Sequence, residues 1–415
     1  MYTRRVIDPA RIMARCDALA QFSEFAGGLT RIYLSSEQRL ANDLVSGWMR
    51  EAGMSARIDA VGNVVGRYEG ERSGLPCLML GSHLDTVRDA GKYDGMLGVV
   101  AAIECVHALN GAGRRLPFAI EVVGFADEEG VRFGATLLGS RAVAGTFDPT
   151  VLDMRDGSGV ALRDAMKAFG LDPGAFARAA RKREELLAYA ELHIEQGPVL
   201  EAEDLPVGVV TAINGFVRMA VTLRGTAGHA GTVPMGLRRD ALAAAAECVL
   251  AVERVGRSEL NLVATVGRIE ALPGAINVIP GEVRFTVDAR APVNDQRERA
   301  YEALTAEIGA VAKRRSLEHR IERLHDHPVT ACAPWLMQQL DRAVGAEGIA
   351  LRRLPSGAGH DGIAICAIAD IAMLFVRCKR GVSHHPAEAI DRADAAIATR
   401  VLLRFIENFT VPGRA

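Results

Sequence analysis

The chain has 415 residues, 49% of them hydrophobic and 24% charged, a balance that excludes a disordered or fibrous protein. Its 49 Lys and Arg against 51 Asp and Glu leave a formal charge of −2, which argues against a nucleic-acid binder or a polybasic membrane protein, whose affinity needs concentrated positive charge. No apolar run reaches the ~20 residues of a membrane span, and the start, Met1 to Pro9, lacks the apolar core of a signal peptide.

Asp8-Pro9 predicts a helix start, a cap followed by proline at the first helical position. Ser35-Ser-Glu-Gln38 reads as a capping box for a helix running to Glu51, with Gly53 just past its end. Short strands are expected near 56–60 and 63–68. Strands and helices then alternate: strand 78–81, helix 96–109, strand 118–125, helix 135–144, strand 188–194. This alternation predicts a mainly parallel sheet covered by helices. After about Ala212 the pattern changes to strand 217–223, helix 237–255, strands 262–269 and 283–289, helix 295–314 and strand 317–324. That order, βαββαβ, is a compact split βαβ unit. Beyond Pro328 the α/β pattern resumes with helix 334–344, strand 373–376 and a final helix through Ile406. The expected architecture is an α/β catalytic domain, residues 1–212 and 328–415, interrupted by an inserted ferredoxin-like domain, residues 213–327. The polar run Arg181–Glu185 reads as a solvated helix face. The seven cysteines are scattered and form no CxxC pair, and most sit in apolar stretches, which indicates reduced, buried thiols in a cytoplasmic protein.

Three polar clusters each follow a predicted buried strand: Gly81-Ser-His-Leu-Asp-Thr-Val87 with Tyr93-Asp-Gly-Met96, Phe125-Ala-Asp-Glu-Glu-Gly130, and Gly381-Val-Ser-His-His-Pro386. A fourth, Glu191-Leu-His-Ile-Glu-Gln-Gly-Pro198, lies in a strand or at its end. Ligands of open α/β sheets bind beyond the carboxyl ends of the strands, so four such clusters can converge on one site. His83 and Asp85, two apart on extended chain, project to one side. One can bind a metal while the other accepts the remaining ring N–H. Asp94 precedes a glycine that lets a loop bring its carboxylate back. Of the neighbours Glu128 and Glu129, one can bind metal while the other acts as general base. His193 and His384 complete a set of three imidazoles and two carboxylates, with His385 as the competing residue beside His384. The set is too large for one tetrahedral ion with an open position, but it suits two ions sharing a carboxylate. Mixed imidazole and carboxylate donors favour Zn, Mn, Ni or Co over Ca.

These motifs resemble the dinuclear metallopeptidase superfamily that includes aminoacylases and carboxypeptidases. Glu191–Pro198, His229-Ala-Gly-Thr, Ser356-Gly-Ala-Gly-His-Asp361 and Val382-Ser-His narrow the resemblance to the hydantoinase/carbamoylase amidases, over the chain from about Ser36 onward. The resemblance implies two divalent ions per subunit, Zn2+ or Mn2+ with Ni2+ or Co2+ as alternatives. They would be held by His83, a bridging Asp94, Glu129, His193 and His384. It implies that Asp85 orients His83 and that Glu128 is the general base. The inserted domain would be a lid that forms a homodimer, its His229 reaching the partner subunit's site to stabilise the oxyanion. Arg290 and Asn277 would hold a substrate carboxylate and Gln196 a ureido group, while Gly359 and His360 would line the pocket. The implied reaction is hydrolysis of an N-carbamoyl-L-amino acid. Allantoate hydrolysis is the runner-up, and an aminoacylase, a peptidase or an inactive homologue are weaker rivals.

Overall fold

The computed structural model describes residues 7–413. Met1 to Val6, most of the stretch read as lacking a signal-peptide core, lie outside the described residues. The chain divides into two units. Met1–Thr211, Cys332–Leu354 and Ala358–Ala415 form the larger, and Ala212–Ala331 with Pro355–Gly357 the smaller.

Four parallel strands make the centre of the larger unit, in the order Ala119–Phe125, Cys77–His83, Leu186–Ile194 and Ile371–Val376. Antiparallel strands flank them: Val64–Tyr68 and then Ser55–Ile58 on one side, Val207–Ile213 on the other. Every residue of Cys77–His83, Ala119–Phe125 and Ile371–Val376 is buried. Parallel strands covered on both faces read as continuous apolar runs rather than alternating ones, which is how these segments read in the sequence.

Met96–Gly111 is apolar all round and largely buried, as a helix inside a core must be. It lies close on the sheet because glycine occupies two contact points. A Cβ on Gly98 would fall 2.2 Å from the Leu192 carbonyl oxygen, and one on Gly95 2.5 Å from the His83 ring. Gly95 also has φ +67°, a backbone conformation that glycine adopts without steric cost. Helix Ser36–Glu51 begins at Ser35, which accepts from the Gln38 N–H. The Gln38 side chain returns to the Leu34 N–H rather than to the cap residue itself, so the expected capping box closes one residue early.

The smaller unit is a four-stranded antiparallel sheet in the order Glu318–His327, Gly215–Arg224, Glu282–Ala291, Val263–Leu272, with helices Ala241–Gly256 and Asn294–Arg314. Its chain order is the expected βαββαβ. Val217, Met219, Val221 and Leu223 alternate inward and meet Val283, Phe285 and Val287 in its own core. A short ribbon pairs Gly228–His229 with Val278–Ile279.

Two expectations need correction. Only Leu138–Val143 of the expected helix 135–144 is helical, because the chain turns through left-handed positions at Gly130 and Leu137 first. The Arg181–Glu185 run is solvated only in part: Lys182, Arg183 and Glu184 are exposed and Arg183–Glu185 form a 3-10 turn, but Arg181 is held inward. Arg181 pairs with Glu121, a buried strand residue, and with Glu185 at 2.8 Å.

Candidate metal centre

All four central strands run parallel, so their carboxyl ends lie along one edge of the sheet, and each delivers part of one cluster. Cys77–His83 ends on His83, with Asp85 two residues on. Ala119–Phe125 leads into Glu128 and Glu129, Leu186–Ile194 carries His193, and Ile371–Val376 leads to the loop holding His384. Asp94 returns from the loop after His83. His83, Asp94 and His193 place ligand atoms within 4.8 Å of one another, and so do Asp94, Glu129 and His384. Asp94 belongs to both sets. Its Oδ1 lies 3.2 Å from His193 Nε2 and 3.8 Å from His83 Nε2, and its Oδ2 3.1 Å from His384 Nε2. His384 Nε2 is also 3.5 Å from Glu129 Oε1. His385 turns away, its Nδ1 accepting the Ala387 N–H at 3.0 Å.

Hydrogen bonds on the far side of the rings fix their orientation. His83 Nδ1 donates to the Asp85 carbonyl at 2.9 Å, and His193 Nδ1 to the Ile194 carbonyl at 2.9 Å. With Nδ1 protonated, a neutral ring turns an Nε2 lone pair toward the Asp94 carboxylate. Two acceptors at that separation need a proton or a cation between them. Accordingly, although burial opposes the charge, the Asp94 hydrogen bond raises His193 to about 9, and bonds from His193 and His384 hold Asp94 well below the usual carboxylate range. Burial, and then Asp361, Asp85 and Asp94, push Glu128 far up. Burial and Glu128 push Glu129 up to about 10. So many buried acidic groups facing each other fit a site built for cations.

Asp85 is placed differently from its expected role. Its carboxylate Oδ1 is 3.8 Å from His83 Nδ1, and its oxygens accept the backbone N–H groups of Glu128 and Glu129 at 3.0 and 3.1 Å. The carbonyl of Asp85 orients the ring, and its carboxylate fixes the Glu128–Glu129 turn. Gln196, expected on a ureido group, instead directs its amide nitrogen at both Asp94 oxygens, at 3.3 and 3.2 Å, and at Ser383. Gly359 faces Glu128, whose Oε1 would be 3.5 Å from an added Cβ. His360 is buried edge-on against His193, with ring centroids 4.5 Å apart.

His229, Asn277 and Arg290 all lie in the smaller unit. His229 is exposed on the short ribbon, where its Nδ1 accepts the Gly231 N–H at 3.0 Å, and the Asn277 carbonyl accepts from Ala230. Arg290 is already engaged. Its Nε and Nη2 hold Asp288 at 2.8 and 3.1 Å, and Nη1 donates to the Gly357 carbonyl. Asp288 and Arg290 share a face of one strand, two positions apart. The Nε–Nη2 edge is therefore occupied by Asp288 and Nη1 is bonded to the Gly357 carbonyl, so each guanidinium nitrogen has a partner within the chain.

Sequence reading missed Glu388 and Ser383, which bond to the Asp94 loop. It also missed the buried Glu191, which accepts from Ser82 and Tyr189 behind His193. An acidic residue four positions beyond His384, in a polar loop, was the available signal for Glu388.

Comparison with known proteins gives this geometry a family. The chain belongs to peptidase family M20/M25/M40, whose family model matches residues 79–408. It is 44% identical to an N-carbamoyl-L-amino acid amidohydrolase of Geobacillus stearothermophilus, over 91% of this chain and 92% of that protein. It is 39% identical to allantoate deiminase 1 of Glycine max, over 96% of this chain and 89% of that one. A crystal structure of a hydantoinase/carbamoylase family amidase from Burkholderia multivorans superposes with a TM-score of 0.90 at 33% identity, covering 96% of this chain and 97% of that one. Within the family, then, this is an amidohydrolase of the hydantoinase/carbamoylase type, a metal-dependent hydrolase of linear amide C–N bonds. Among the described residues no helix is long and apolar enough to cross a membrane.

Proposed function

We propose that the enzyme hydrolyses the ureido C–N bond of an N-carbamoyl-L-amino acid, giving the amino acid, ammonia and CO2. The observation that carries this reading is the single carboxylate of Asp94 shared between two ligand sets. The names of the relatives support the substrate class. His83, Asp94 and His193 would hold one divalent ion and Asp94, Glu129 and His384 a second, Zn2+ or Mn2+ with Ni2+ or Co2+ as alternatives. Such ions, when bound, supply Lewis acidity that acidifies water and polarises the ureido carbonyl.

The chain's own residues do the rest. Glu128, held by the Asp85 carboxylate through its backbone, accepts a proton from the attacking water and returns it to the leaving nitrogen. As the C–N bond breaks, ammonia departs, and the carbamate left behind loses CO2. Arg290, with Asn277, receives the substrate carboxylate, while Gln196 turns to the ureido group and Gly359 and His360 line the pocket. His229 stabilises the oxyanion across a homodimer formed through the inserted domain. We place the enzyme in the cytoplasm, where reduced thiols such as the buried Cys16, Cys77 and Cys105 persist.

Allantoate is the second reading, favoured by the 39% identity to the allantoate deiminase. It too joins a carboxylate to ureido groups. Ammonia release from N-carbamoyl-L-amino acids and from allantoate, with each metal restored to stripped protein, separates the two. Turnover of N-acetyl amino acids or dipeptides alone would refute both. Glu128→Gln is expected to retain both ions by metal analysis and to lose activity by ~10²–10⁴-fold. Near-normal turnover would remove Glu128 from its role.

A further inference from the structure

Glu388 is 4% exposed and sits on the loop after His384. Its Oε1 accepts two backbone N–H groups, those of Tyr93 at 2.8 Å and Asp94 at 3.1 Å. Its Oε2 accepts the Ser383 hydroxyl at 2.8 Å, and Ser383 Oγ lies 3.4 Å from Asp94 Oδ2. The Gly91 backbone packs directly on this side chain, since a Cβ there would fall 2.2 Å from Glu388 Cβ. Helix Met96–Gly111 starts immediately after Asp94 without a side-chain cap of its own. The N–H groups of Tyr93 and Asp94, just ahead of it, find their acceptor on Glu388, 295 and 294 residues away in sequence.

One buried carboxylate thus joins the loop bearing Asp94 to the loop bearing His384. We infer that Glu388 is a positioning residue: it sets the separation of the Asp94 carboxylate and the His384 imidazole, and with it the affinity of the site they share. The inference rests on the reading that Asp94 and His384 are metal ligands. A residue whose only role is stability would change melting temperature without changing metal affinity. A positioning residue changes metal affinity and kcat while KM, set by contacts elsewhere, stays nearly constant. Removing such a ligand-orienting group typically costs 10–100-fold in affinity.

The test is a Zn2+ titration of metal-stripped full-length protein against a chromophoric chelator, with kcat and KM measured at saturating Zn2+. Wild type, Glu388→Ala, Glu388→Gln, Ser383→Ala and Asp94→Asn are compared. We expect Glu388→Ala to weaken the looser of two ions at least tenfold and to lower kcat with KM within about twofold of wild type. Glu388→Gln keeps the acceptor for Tyr93 and Asp94 and loses the one for Ser383, so it and Ser383→Ala should fall between. If Glu388→Ala does not fold, those two variants carry the same comparison. Wild-type affinity for both ions in every folded Glu388 and Ser383 variant overturns the inference. Wild-type ion binding in Asp94→Asn overturns instead the ligand assignment beneath it.

Discussion

At Asp94 a buried carboxylate lies 3.2 Å from one imidazole nitrogen and 3.1 Å from another. The residue types at this point were legible in the sequence, because histidines and acids just beyond apolar strands have few structural uses. Their hydrogen-bond partners were not. The i, i+2 argument for Asp85 assumes extended chain, but the strand ends at His83. Beyond it the Asp85 carbonyl faces the ring, and its carboxylate faces Glu128 and Glu129. Arg290 shows the same limit, its cationic character readable and its pairing with Asp288 not. Lysine cannot reproduce a planar fork that holds Asp288, the Gly357 carbonyl and a ligand together. Arg290→Lys should therefore raise KM about tenfold or more with a smaller change in kcat, measured by steady-state kinetics on an N-carbamoyl-L-amino acid. An unchanged KM would take Arg290 out of substrate binding.

Helix Pro9–Leu19 is tied to helix Met96–Gly111 by one ion pair. Glu104, fully buried, accepts from Arg11 Nε at 2.7 Å and Nη2 at 2.6 Å, and from the Asp8 N–H at 3.0 Å. Glu104 looks like a misplaced charge in an apolar helix until the packing supplies its partner. Its attraction lifts Arg11 above the ordinary guanidinium value. Arg11→Met should destabilise the larger unit by about 3 kcal/mol, the low end for breaking a buried pair, since Arg11 is itself partly exposed. Urea unfolding gives the measurement, and Arg11→Met with Glu104→Leu should recover much of the loss. A single variant within about 0.5 kcal/mol of wild type would show the pair to be idle. Elements with strong period or cap signals matched the sequence closely. Segment 144–185, which folds into short 3-10 turns and one helix, Leu162–Ala168, carries too little periodicity to read.

For the whole molecule, the cluster of buried acids makes stability depend on pH and on cations together. Without metal, Glu129 titrates near 10 in the fold against 4.5 ordinarily, and His193 near 9 against 6.5. The folded state then binds more protons than the unfolded one, so both groups withdraw stability as pH rises from about 6.5 to 9. Asp94, held low, is ionised in both states across that window and contributes no slope. Metal-stripped protein should therefore melt at a lower Tm at pH 8.5 than at pH 6.5. Saturating Zn2+ or Mn2+ should raise Tm most at pH 8.5, because the ligands bind deprotonated. At a thousandfold excess over Kd the gain is about 4 kcal/mol. Differential scanning fluorimetry with and without a chelator reads both effects. A Tm that rises with pH in the stripped protein would contradict the charge arrangement.

The sequence by itself determined the α/β alternation, the inserted βαββαβ unit and the residue types at the strand ends. Apolar periodicity and strand-end polarity are local properties, written within a few residues of each other. Only the tertiary structure decided that the Asp85 carboxylate faces the Glu128–Glu129 backbone, that Asp288 occupies one edge of Arg290, and that Glu388 grips the loop leading into the buried helix. Those pairings join positions up to 295 residues apart, or depend on where a strand stops. They follow from which strands lie side by side in the sheet, an order that no short stretch of the chain encodes.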